Sequence, residues 1–456
     1  LLEYRVHLNV MSISKLAWLE SCSSRKGFYV TCKQLGLVLG TTLVLGVAAA
    51  QTCDIAAPSS NTTINMVGWA FPITEFYAEE LEVCNDVDNL SVNTQLLDSG
   101  SAREQVRLAL SGGGSSPFAV VHGANGDVVE WASEGWVQPI TDLVEKYREE
   151  YNLDDIAQTA WEGASYQGEI YGVPIVANTQ HLMYRMDLFE EYGLAVPTTY
   201  DEVIEACSVL AEEPSIDFPF TLNLHAGWAW EQEFFHFLEA FGGTYLNEDN
   251  TPAFNSEAGV QALNKIVEVA EACMGREGLT YSLDDSEVGL SIGSLAFVQL
   301  WASRAPSMDD PDRSAFVGGI GFAPAPAPAA GTPLGGSAWN DFYMIPTTTD
   351  VERELAFLVI MEAADIESQT RAADFGIVTR QSVAESGVGG RYLEAASQTI
   401  ANGVGIYEAN PAVPLVRTAL SSILPLVGNG DLTPEEALAQ AEAAYTAEAT
   451  AQGFIE

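Results

Sequence analysis

The chain has 456 residues, 47% of them hydrophobic, so it is long enough to bury sizeable cores and is globular rather than disordered. Its 19 Lys and Arg against 63 Asp and Glu give a formal charge of −44. That charge repels phosphate and anionic lipid, which excludes nucleic-acid and membrane-surface binding.

Residues 1–50 read as an export signal, with Met11 and Val30 as alternative first residues. Leu35–Ala50 is uncharged, follows Arg25, Lys26 and Lys33, and ends in Ala48-Ala49-Ala50 before Gln51. That is the order of a cleaved secretory signal, and the run falls short of the roughly 20 apolar residues of a spanning helix; an N-terminal membrane anchor is the alternative reading. The expected location is periplasmic or secreted. After residue 50, 14 basic residues face 61 acidic ones, and Lys146 and Lys265 are the only lysines. Such a surface stays hydrated in a saline medium, so the acidity reads as adaptation rather than as a site. Cys53, Cys84, Cys207 and Cys273 form an even set in an exported chain and suggest two disulfides. Of the three pairings, Cys53–Cys84 with Cys207–Cys273 is favoured because each bridge then stays within one lobe; buried free thiols are the alternative.

In chain order, Thr62–Trp69 is β-branched and reads as an opening strand, followed by a helix over Thr74–Cys84. Ser91–Leu97 alternates as a strand, Ala102–Leu110 is a helix stopped by Gly112-Gly113-Gly114, and Phe118–Val121 is a short buried strand. This alternation predicts a parallel sheet with right-handed crossovers. The glycine run lacks the Lys-Ser/Thr ending of a phosphate loop. Ile170–Tyr184 reads as two strand pieces broken by Pro174 and Asn178. Thr199 and Glu202 form a capping box for the next helix, and Ser256–Met274 is another helix, stopped by Gly275. Ala323–Ala330 is a Pro-Ala loop, Gly335-Gly336 precede a strand over Ala338–Ile345, and helices finish the chain, with Thr433-Pro434-Glu435-Glu436 as a further helix start.

Gly168-Glu-Ile-Tyr-Gly-Val-Pro174, Asn178-Thr179, Leu182-Met-Tyr184, Asp187-Leu-Phe189, Gly193-Leu194 and Pro197-Thr-Thr-Tyr-Asp-Glu202 follow one another in an order that resembles the extracellular solute-binding proteins of ABC importers. The resemblance is to their carbohydrate-binding group, family 1, which includes maltose-binding proteins. Phe241-Gly-Gly243, Gly293-Ser-Leu-Ala-Phe297 before Trp301, Gly376-Ile-Val-Thr-Arg380 and Thr433-Pro-Glu-Glu-Ala-Leu438 extend it over nearly all of the exported part. Where that family usually has Asn-Lys after the tyrosine, this chain has Arg185-Met186. The resemblance implies an α/β, type II periplasmic-binding-protein fold: two discontinuous lobes, a hinge and a helical C-terminus. The N-terminal lobe would comprise 51–176 plus 337–382, the C-terminal lobe 177–336 plus 383–456, and they would close on a ligand. It further implies transmembrane permease subunits as partners and action as a monomer.

A sugar presents C–H faces and a hydroxyl rim, so its site needs aromatic platforms and fixed polar groups. Trp69, Trp228, Trp230, Trp301 and Trp339 all fall at element ends, where open α/β sheets place ligands, whereas Trp131, Trp136 and Trp161 read as packing. Asn178 at the hinge, His122 after the third strand, and one of Asn340 and Asp341 are the polar candidates; period-two alternation allows only one of the last pair to face the cleft. His-Glu-x-x-His, G-x-S-x-G and Cys/His zinc spacings are absent. The chain is therefore expected to be a binding protein for a sugar or oligosaccharide, not an enzyme, with no metal and no cofactor. A polyol or a polyamine is the second ligand class, with Glu231 and Asp341 as carboxylates for a cation. A secreted glycoside hydrolase is the reading from another class, since acid pairs abound.

Overall fold

The computed structural model describes residues 52–456, so the expected export signal and its expected cleavage point lie outside the described residues. The chain opens with β1 (Thr62–Trp69), α1 (Pro72–Glu82), β2 (Leu90–Leu97), α2 (Ser99–Ser111) and β3 (Val120–Ala124). Pro72 starts α1 with a pre-set φ, and Thr74 Oγ1 accepts from the Phe71 amide; Asp98 caps α2 by accepting from the Ser101 amide at 3.0 Å. β4 (Gly172–Asn178) then leads across to β5 (Gln180–Arg185). Next come α3 (Tyr200–Leu210), β6 (Phe218–Thr221), α4 (Trp228–Ala240), α5 (Glu257–Cys273), α6 (Leu283–Ile292), β7 (Leu295–Trp301) and β8 (Ile320–Ala323). β9 (Trp339–Met344) returns, and α7 (Val413–Ile423) and α8 (Pro434–Ala451) lie near the end.

Two sheets result, one in each lobe. The first has the order β2-β1-β3-β9-β4, the second β8-β5-β7-β6. β2, β1 and β3 are parallel, but β9 is antiparallel to both β3 and β4. The second sheet repeats this arrangement, with β6 and β7 parallel and β5 antiparallel to β7 and β8. The sheets are thus mixed rather than purely parallel, and the reason is common to both. In each lobe the reversed strand is the one arriving from the other lobe, entering between two strands that run antiparallel to it. Trp339 therefore pairs with Asn178, and Trp301 with Gln180, at the crossing itself.

Pro174 does not break its strand. β4 runs through it at the sheet edge, where a missing N–H is tolerated, and the pairing with β9 slips between Asp341 and Phe342. β7 is buried at all seven positions, as expected of a strand covered on both faces, and α7 and α8 pack with α4 and α5 on the second lobe. Cys53 is bonded to Cys84 and Cys207 to Cys273. Among the described residues no helix is long and apolar enough to cross a membrane.

Candidate functional site

The strand directions place indoles where the lobes meet. Trp69 is the last residue of β1, Trp301 the last of β7, and Trp339 the first of the reversed β9. Trp228 opens α4, held there by Gly227, whose φ of 105° suits only glycine. These four line a cavity with about 430 Å³ of atom-free space including its mouth. Trp301 and Trp339 stand 5.8 Å apart at 56°, and Trp339 meets Tyr407 edge-on at 5.4 Å.

Trp69 is no open platform. His122 stacks on one face at 3.6 Å, so the Arg103 guanidinium, 4.7 Å from the ring centroid, covers the other. The same guanidinium lies 5.0 Å from Trp228, which places it between indoles of opposite lobes. Asp127 faces Arg103 at 3.5 Å. On the second lobe, Arg304 donates to Glu287 at 2.7 Å, pairs with Asp284 at 2.8 Å, and reaches Ser99 Oγ of the first lobe at 3.3 Å. Both arginines line the cavity.

Asp341 lies two residues from Trp339 on the same strand face and lines the cavity; Asn340, between them, does not. Burial pushes the Asp341 carboxyl up to about 7, a rise that the Arg103 and Arg304 charges partly offset. His122 Nε2 is 3.8 Å away, close enough for an ion pair on distance alone. Burial, aided by Arg103, holds that imidazole well below its usual range, so the contact is one between a neutral ring and a carboxyl. Gln232, one turn along α4 from Trp228, brings an amide to the cavity wall, and its Oε1 is buried without a partner.

Asn178 lines the cavity, but its side chain is mostly engaged. Nδ2 donates to Ser303 Oγ at 3.1 Å, and Oδ1 accepts from the amides of Thr179 and Ser303, leaving one amide hydrogen for a ligand. Behind it, the Tyr200 hydroxyl donates to Gln299, Gln299 to Gln180 at 2.7 Å, and Gln180 to Glu233 at 2.8 Å. This buried chain ties the crossing to α3, α4 and β7; burial pushes Glu233 up to about 8.

Two candidates fall away from the cavity wall. Trp230 is 2% exposed, packed against Gly428 in the core of the second lobe, because helical spacing turns it away from Trp228. His122 is fully buried behind Trp69, because β3 runs on to Ala124 and makes it a mid-strand residue. Glu231 is committed to Arg417 at 3.3 Å and the Tyr245 hydroxyl at 2.6 Å. Arg103, Arg304 and Gln232 were not anticipated from sequence; in a region with only 14 basic residues, each arginine was a signal available to be followed. Among the described residues no group of three or more His, Cys, Asp or Glu could hold a metal ion.

Two lobes with mixed sheets, joined by crossing segments and with an aromatic cleft between them, make up the type II periplasmic-binding-protein fold. The sequence profile of the bacterial extracellular solute-binding proteins matches residues 66–359, and the chain belongs to that family. It is 27% identical to the mannitol-binding protein of Pseudomonas aeruginosa over 43% of this chain and 45% of that one, so the match spans under half of that relative's length. In fold it resembles a solute-binding protein of Agrobacterium radiobacter in complex with ribitol, at TM-score 0.75 and 23% identity, covering 86% of this chain and 100% of the other. It also resembles one of Thermotoga lettingae bound to α-D-tagatose, at TM-score 0.74 and 20% identity, covering 85% and 99%.

Proposed function

We propose that the protein captures one small polyhydroxylated solute, a sugar or polyol, outside the cytoplasm and delivers it to the permease subunits of an ABC importer. The observation that carries this is the cavity wall. Indoles from both lobes surround donors and acceptors not fully used by the protein: Arg103, Gln232, Asp341 and one Asn178 hydrogen. Hydroxyls can both donate to and accept from such a set, while C–H faces rest on the rings. Two guanidinium groups at the wall disfavour a polyamine here, and Glu231 is spent on Arg417. We assign 51–176 plus 337–382 to the N-terminal lobe and 177–336 plus 383–456 to the C-terminal lobe. We read the protein as a monomer without catalytic activity, exported by the signal in its first 50 residues.

Native mass spectrometry of the purified protein, followed by calorimetric titration with D-mannitol, ribitol and maltose, tests the reading. We expect saturable one-to-one binding of at least one of the three, and no hydrolysis of maltose. Absence of binding across a wider panel of sugars and polyols, or turnover of a glycoside, overturns it.

A further inference from the structure

Of the residues that line the indole cleft, all but Ser99, Arg103 and Trp228 are buried. Those three are half-buried, so the cavity meets solvent where they stand. Ser99 and Arg103 lie one turn apart on α2 and share a face, while Trp228 opens α4 on the other lobe.

This mouth is bridged twice. Ser99 Oγ meets Arg304 Nη2 at 3.3 Å. The Arg103 guanidinium rests on Trp69 at 4.7 Å and reaches the Trp228 ring at 5.0 Å. The two bridges differ in how firmly they are held. Arg304 is anchored by both Glu287 and Asp284, and its side chain is 6% exposed. Arg103 has one ion pair among the described residues, with Asp127 at 3.5 Å, and its side chain is 27% exposed. It is the movable bar across the opening.

Away from the mouth the cleft is shut. Asn178 donates to Ser303 at 3.1 Å across the hinge. Arg417 of α7 donates to the Gly126 carbonyl of the first lobe and lies 4.7 Å from the Tyr407 ring, which backs Trp339. The indoles form a corner rather than a row: Trp301 and Trp339 meet at 56°, and Trp69 is covered on both faces. A longer glycan presents one C–H face after another and is gripped by a row of open rings, which this corner does not supply.

We propose that Arg103 bars the mouth of the cleft and confines the solute to a single monosaccharide or alditol unit, excluding any ligand extended through a glycosidic bond. The inference rests on the sugar-or-polyol reading of the cleft and narrows it by size. A second unit has to leave through the mouth and lift the guanidinium off both indoles, at the expense of the closed state.

The test is calorimetric titration with D-mannitol, ribitol and D-glucose, each beside a form of it carrying one glycosidically linked glucose, which for D-glucose is maltose. We expect the wild-type protein to bind at least one unit at least tenfold more tightly than its glucoside. In Arg103→Ala, which clears the mouth, that ratio should fall at least severalfold. Ser99→Ala, which loosens closure without opening space, should weaken unit and glucoside alike and leave the ratio unchanged. Arg103→Gln, shorter and uncharged, serves if Arg103→Ala does not fold. Glucosides bound by the wild type as tightly as the units overturn the size limit and leave the sugar-or-polyol reading standing. An unchanged ratio in the Arg103 variant, or an equal fall in Ser99→Ala, overturns the role of Arg103. Failure of every unit and every glucoside to bind removes that reading and this inference with it.

Discussion

Arg304, just past the end of β7, donates through Nη2 to Ser99 Oγ at the start of α2 on the opposite lobe, at 3.3 Å. Two other contacts repeat the relationship: Arg417 donates to the Gly126 carbonyl, and Arg313 pairs with Glu75. Each sets an arginine of the second lobe on an acceptor of the first, so closure rests partly on charge-assisted hydrogen bonds beside the cleft. Removing one should loosen the closed state and weaken ligand binding with it. We expect Ser99→Ala to lower affinity for the bound polyol or sugar by roughly two- to tenfold, the net worth of one such bond. Arg304→Ala should cost more, because it removes the donor of this contact and a side chain of the cavity wall together. Calorimetry on both variants decides; wild-type affinity in Arg304→Ala removes this account of closure.

Trp228 and Trp230, two residues apart on α4, should separate cleanly. Trp230→Ala empties a core position and should destabilise the protein by about 3–5 kcal/mol in urea unfolding. Trp228→Ala removes a cavity wall and the partner of Arg103, so affinity should fall while the unfolding midpoint stays near wild type. The reverse pattern would mean that Trp230, not Trp228, serves the ligand.

The contrast shows what the sequence could and could not reveal. Element ends located the tryptophans, and four of the five line the cavity. Proximity in sequence could not tell Trp228 from Trp230, since that depends on which side of α4 faces the core. His122 was misplaced for a related reason: β3 extends three residues beyond its apolar run, through His122 and Gly123 to Ala124. Pro174 suggested a break because its missing N–H matters only inside a sheet, and edge position is a tertiary fact. Arg103 and Arg304 do their work across the lobe boundary, at separations no local pattern encodes.

Asn178 shows how a cleft residue can also hold the hinge. Its Oδ1 accepts from the Ser303 amide, so Asn178→Ala leaves a buried N–H unpaired, at a cost of about 1–3 kcal/mol. Thermal unfolding of the ligand-free variant should show a lowered midpoint, accompanied by weaker binding. Trp301→Ala should weaken binding more, since it removes a whole aromatic wall rather than one amide hydrogen. An unchanged midpoint in Asn178→Ala would show that water replaces the lost acceptor.

Asp341 makes the stability of the fold depend on pH in a direction opposite to that of most carboxylates. Its folded-state value is pushed up to about 7 by burial, whereas an unfolded aspartate titrates near its ordinary value of 3.8. Between these values the folded state holds a proton that the unfolded state has released, so raising the pH favours unfolding. The contribution is fully present below about pH 4 and is lost as pH rises through about 7. Asp341→Asn keeps the shape and abolishes the titration. Glu233, which also titrates high, is common to both proteins and cancels in the difference. We therefore expect the variant to gain stability relative to wild type as pH rises from about 4 to about 8, by at most about 4 kcal/mol at roughly 1.4 kcal/mol per pKa unit. Urea unfolding of both proteins at three pH values measures this. A stability difference that stays constant with pH would place the Asp341 carboxyl in water and remove it from the cavity wall.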